Sequence, residues 1–143
     1  MGQNAAPHLT SKVVVMYIVD TDVSIDYMKG IASAVNLVNS LEDAHLTTIT
    51  IAELFFGAYN SPNAAKHLPV LFNYVKSFDR LTPQLWDAIK FGKIKTELTK
   101  KGIIISDADI LNASIALSYG FTVITRNVKH YGRIKGLKVT SSG

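Results

Sequence analysis

The chain has 143 residues, no cysteine, 48% apolar and 18% charged residues, and a formal net charge of +4. Length and apolar content fit one domain with a core of its own and argue against disorder. The lack of cysteine excludes a disulfide framework, thiolate zinc sites and a cysteine nucleophile.

Residues 1–15 carry one lysine and no long apolar stretch, and read as a flexible arm ahead of a single domain over 16–143. Val13–Val19 is a β-branched and aromatic run that stops at Asp20. It predicts a buried strand of a parallel sheet, is too short for a membrane span, and is wrongly flanked for a signal peptide. A cytoplasmic protein without membrane attachment is expected. Helical spacing follows in Val23–Met28 and Ile31–Leu41, with Gly30 as the break. Leu46–Thr50 predicts a short strand, Ile51–Tyr59 a helix, Ser61-Pro62-Asn63 a turn, and Ala64–Phe78 another helix. Thr82-Pro83 predicts a cap and first helical position for a helix that runs to about Lys101 and stops at Gly102. Asp107–Tyr119 predicts a helix closed by Gly120, and Phe121–Thr125 and Leu137–Thr140 predict the last strands. His45 reads as a surface residue, and the four histidines show no metal-ligand spacing.

This order predicts a three-layer α/β/α fold with a mostly parallel central sheet. In such sheets ligands bind beyond the carboxyl ends of the strands. Asp20 directly follows the first strand, Glu53 lies three residues after the second, Asp109 opens the helix before the third, and Asn127 lies two residues past that strand. Each acid has an ordinary alternative. Thr50–Glu53 and Ser106–Asp109 have capping-box spacing, and Asp20 or Asp22 suits a helix start. Convergence at one sheet edge points instead to metal chemistry. Clustered carboxylates repel, and a hard divalent cation removes that penalty. Oxygen donors without cysteine or paired histidine favour Mg2+ or Mn2+, whose chemistry on a phosphodiester is hydrolysis. Thr21, Asp22 and Asp107 are candidate additional metal or supporting residues.

Charge is uneven. The first 75 residues carry three basic and six acidic side chains, the remainder twelve and five. The run Arg126, Lys129, Arg133, Lys135, Lys138, with His130 inside it, is a candidate phosphate-binding patch, as well as a candidate solvated loop. Trp86 and the other aromatics could stack on bases or serve as core and interface. With a mean hydropathy of +0.19, the helices bearing Tyr27, Met28, Leu37, Phe72 and Tyr74 predict surface hidden by a partner.

The pieces Tyr17–Val23, Ile49–Leu54, Ile105–Leu117, Val123–Tyr131 and Arg133–Leu137 together resemble PIN domains, and among them VapC-type toxins. That resemblance implies a metal-dependent ribonuclease acting on single-stranded RNA, the toxin of a toxin–antitoxin pair. It implies an acidic quartet at Asp20, Glu53, Asp109 and Asn127, a homodimer, and a small antitoxin that blocks the site. Arg126, Lys129 and His130 would contact RNA. Asn112 stands where the family often has isoleucine, a change that looks confined to packing. Competing readings are an RNA-processing nuclease outside toxin–antitoxin systems, and a non-catalytic nucleotide- or RNA-binding α/β module. The second lacks support, because neither Gly-x-Gly-x-x-Gly nor a Walker motif follows the first strand.

Overall fold

The computed structural model describes residues 14–141, so all but the last two residues of the expected arm lie outside the described residues. The elements are β1 (Tyr17–Val19), α1 (Thr21–Met28), α2 (Ala32–Ser40), β2 (Ala44–Thr47), α3 (Thr48–Tyr59) and α4 (Ala64–Lys76). Then come β3 (Asp79–Leu81), α5 (Leu85–Lys100), α6 (Asp107–Tyr119), β4 (Thr122–Thr125), α7 (Val128–Tyr131) and β5 (Lys138–Ser141). The strands form one sheet in the order β3-β2-β1-β4-β5, and every pairing is parallel.

Alternation along the strands sends neighbouring residues to opposite faces. Ile18 and Val123 face a cluster with Ile94 and Leu98 of α5 and Ile110, Ala113 and Ile115 of α6. Val19 and Ile124 face a second cluster with Val23, Val38, Leu54, Leu71 and Tyr74 from α1–α4. Helices on both faces of a parallel sheet give the three layers expected from the sequence. Gly102 and Gly120 close α5 and α6 at φ near +70°, a backbone region glycine enters at little cost.

Local boundaries differ from the sequence reading for identifiable reasons. Ladder pairing to β2 and β4 begins at Tyr17, and Val14 and Val15 are half exposed, so the first strand is shorter than its apolar run. The threonine run after Leu46 enters α3, because Thr47 caps it by accepting the Thr50 N–H at 3.1 Å. The cap of α5 is Gln84, which forms a capping box with Asp87, and Thr82-Pro83 precede it. Strand β3 reads Asp-Arg-Leu, too short and polar for a hydrophobic signal. His45 is buried, at 8% exposure, against the Phe121 ring. Of the apolar residues expected at the surface, Phe72 is exposed, whereas Tyr74 is buried and Tyr27, Met28 and Leu37 pack on the core.

Candidate active site

The strand order reverses between β1 and β4, where chains leaving the two strands diverge, the place at which parallel α/β sheets bind ligands. The register Val19↔Ile124 brings Asp20 beside Thr125 at that point. The Asp20 N–H continues the ladder to the Ile124 carbonyl at 2.9 Å, and its side chain is 6% exposed. Oδ2 of Asp20 accepts from the Thr125 hydroxyl at 2.9 Å, and Oδ1 lies 3.2 Å from the Tyr131 hydroxyl. That hydroxyl also lies 3.1 Å from Oδ1 of Asp109, in the first turn of α6. One phenol proton serves two carboxylates, so it holds both side chains while fully neutralising neither. Burial, together with both acids, pushes the Tyr131 hydroxyl upward, so it stays protonated.

Asp20 itself is pushed up to about 6, first by burial and then by Asp22, with the Thr125 hydrogen bond opposing. Asp22 accepts the Arg126 N–H at 3.0 Å and so fixes the loop after β4. Oδ2 of Asp109 meets Nε2 of His130 at 3.0 Å. Glu53, in the second turn of α3, accepts from the Thr21 hydroxyl at 2.8 Å, which ties it to the residue next to Asp20. None of the three carboxylates Asp20, Glu53 and Asp109 caps its own helix. Asp20 makes no capping bond, the Thr50 N–H goes to Thr47 and not to Glu53, and Ser106 caps Asp109 N–H while leaving the Asp109 oxygens to Tyr131 and His130.

The side chains of the other predicted residues have partners of their own or face the solvent. The Asp107 carboxylate pairs with Lys95 at 2.7 Å on the surface. The Arg126 side chain, expected at RNA, pairs through Nε with Asp26 at 2.8 Å and stays half exposed. His130 is turned to Asp109. Asn127 is exposed and lines a shallow cleft with Lys129, His130 and Arg133; no hydrogen bond joins its side chain to a carboxylate among the described residues. Sequence reasoning missed Thr125 and Tyr131. Their one signal was position: Thr125 ends a strand, and Tyr131 is the aromatic within a basic run.

Asn112 does more than pack. Fully buried on α6, it accepts from the Thr47 hydroxyl and donates to the Thr50 hydroxyl at 3.1 Å. It thus locks the helix carrying Asp109 to the strand-to-helix junction that leads into the helix of Glu53.

An all-parallel sheet with carboxylates converging at its switch point defines a PIN-like α/β protein. The PIN domain profile matches residues 17–135, and the chain belongs to the PIN-domain family, VapC type. It is 32% identical over 93 residues to Ribonuclease VapC2 of Haemophilus influenzae, covering 65% of this chain and 70% of that protein. It is 30% identical over 125 residues to Ribonuclease VapC1 of Rickettsia felis, covering 85% and 92%. Among solved structures it resembles DNA-bound VapBC from Salmonella typhimurium, with TM-score 0.84 and 26% identity over 90% of this chain and 99% of that one.

Proposed function

We propose that this chain is a divalent-metal-dependent endoribonuclease that cleaves single-stranded RNA, the toxin of a cytoplasmic toxin–antitoxin pair. The observation that carries it is the pair Asp20 and Asp109 on one shared phenol proton, with Asp20 held near 6. Carboxylate donors, Asp20 and Asp109 on one phenol with Glu53 tied in through Thr21, suit a hard cation such as Mg2+ or Mn2+. Asp20, Glu53 and Asp109 would hold it. When bound, the cation supplies Lewis acidity towards the phosphate and a lower pKa for the attacking water.

The chain's own residues do the rest. Tyr131, Thr125 and Thr21 orient the carboxylates, and His130 holds Asp109. Lys129 and Arg133, in the adjoining cleft with Asn127, bind the phosphate backbone without reading bases. Because Arg126 is paired with Asp26, Lys129 and Arg133 carry more of the salt dependence. Replacing both with Ala is expected to raise KM for RNA severalfold. The slope of log KM against log salt should fall by about 1.4, at roughly 0.7 for each single-strand phosphate that is no longer neutralised. An unchanged slope would leave the cluster a solvated loop.

Partner surfaces support the pair reading. A cleft lined by Ile25, Met28, Leu54, Gly57 and Val70 reaches Glu53, so a peptide laid in it would cover the site. The exposed apolar residues Leu85, Trp86 and Ile89 at the start of α5 offer a homodimer surface. A monomer by light scattering at micromolar concentration would contradict the dimer. The nuclease reading is tested by gel assay of single-stranded and duplex RNA of one sequence. Wild type is expected to cut only the single strand and Glu53→Gln neither; equal cutting by Glu53→Gln would overturn it.

A further inference from the structure

At the amino edge of the sheet, opposite the carboxylates described above, a second group of ligating side chains converges. Strand alternation places Asp43 and His45, two residues apart, on one side of β2, and the parallel register sets Asp79 of β3 directly across from His45. One ligating atom from each lies within 4.8 Å of the others. Nδ1 of His45 is buried and, among the described residues, has no hydrogen-bond partner. It stands 3.5 Å from Oδ1 of Asp43, too far and too poorly aligned for a hydrogen bond. Native structures seldom leave a buried polar atom unpaired, so each such atom calls for a partner. The Phe121 ring, 4.9 Å from the imidazole by centroids, backs the histidine and fixes where it can reach. Among the described residues neither Asp43 nor Asp79 has another cationic partner.

We propose that Asp43, His45 and Asp79 form a binding site for a transition-metal dication of the Zn2+ class that clips β3 to β2. One imidazole nitrogen with two carboxylates is a borderline donor set, which selects Zn2+ over Mg2+ or Ca2+. Donors around a tetrahedral Zn2+ lie about 3.4 Å apart, given bonds of roughly 2.1 Å. The His45–Asp43 separation already matches that spacing. The Asp79 carboxylate lies within 4.8 Å of both, and rotation of its exposed side chain can bring it to that spacing. A clip there suits β3, a three-residue edge strand whose first two residues are exposed.

The test uses the full chain, stripped with a chelator and titrated with Zn2+ by calorimetry. Asp20→Asn is the background, to weaken the other metal site. Zn2+ at about a hundredfold excess over Kd is expected to raise its melting temperature by about 8 °C. Adding Asp79→Asn should weaken Zn2+ binding at least tenfold and remove that shift. Co2+ in place of Zn2+ should give visible absorption bands in Asp20→Asn that vanish in the double variant. Asp79 is exposed, so this variant avoids disturbing the core that His45→Ala would open. Alone, Asp79→Asn should cleave RNA normally with Mg2+. Identical Zn2+ isotherms with and without Asp79→Asn, or no Zn2+ binding in the Asp20→Asn background, would overturn the site and leave His45 and Asp43 as an ion pair.

Discussion

Asp20→Asn is expected to lower RNA cleavage by about a thousandfold and, in metal-free protein, to raise stability. The first effect follows from removing a carboxylate that would bind the cation, a loss on the order of 4 kcal/mol in the transition state. The second follows from burial. The Asp20 carboxyl is raised from 3.8 to about 6, chiefly because ionising it at 6% exposure costs solvation and sets it against Asp22. A raised acid binds its proton more tightly in the folded state. Its contribution is therefore fully present below pH 3.8 and is lost as pH climbs through about 6. The loss amounts to roughly 3 kcal/mol at pH 7, from about two pKa units. Asparagine avoids it, since it keeps an acceptor for Thr125 and carries no charge. Thermal melts in chelator should show the variant several degrees more stable at pH 7, with the advantage gone near pH 4. A variant less stable than wild type at pH 7 would contradict the reading of Asp20 as a site that folding alone does not favour.

Asn112→Ala should be the most destabilising single change at the site's foundations. The substitution leaves the Thr47 hydroxyl without its acceptor and the Thr50 oxygen without its donor, in a fully buried pocket, and opens a cavity besides. Unsatisfied buried groups and a lost side chain together cost about 2–4 kcal/mol. Asn112→Leu restores volume but not the hydrogen bonds, so it should recover only part of that loss. Urea unfolding should shift the midpoint with the m-value unchanged. Because the network joins the helix of Asp109 to the helix of Glu53, kcat should fall in both variants while KM for RNA moves little. An Asn112→Leu protein as stable as wild type would mean that packing alone matters there.

The parallel sheet and its two helical layers were legible in the sequence. Apolar runs ending in an acid or in Gly120 carry that information locally. What escaped depends on register between distant segments. Tyr131 meets Asp20 across 111 positions, and His45 meets Asp79 only because β3 pairs with β2. Strand β3 was invisible because its residues Asp79 and Arg80 are exposed and polar. Ion partners in distant segments escaped for the same reason as the Tyr131 contact. Arg126 pairs with Asp26 and Asp107 with Lys95, contacts that no local pattern announces. Asn112 looked like a packing change because its two hydroxyl partners lie more than 60 positions away.

The proposed role of the carboxylates at the switch point is to hold a divalent cation for RNA cleavage. The most direct measurement is cleavage of a single-stranded RNA by chelator-stripped wild-type protein, with Mg2+ or Mn2+ then added back, beside Asp109→Asn treated alike. Wild type should be inactive when stripped and recover on addition of either cation, while Asp109→Asn should stay inactive at every concentration tested. Cleavage by the stripped wild type, or recovery of Asp109→Asn to wild-type rates, would contradict the account.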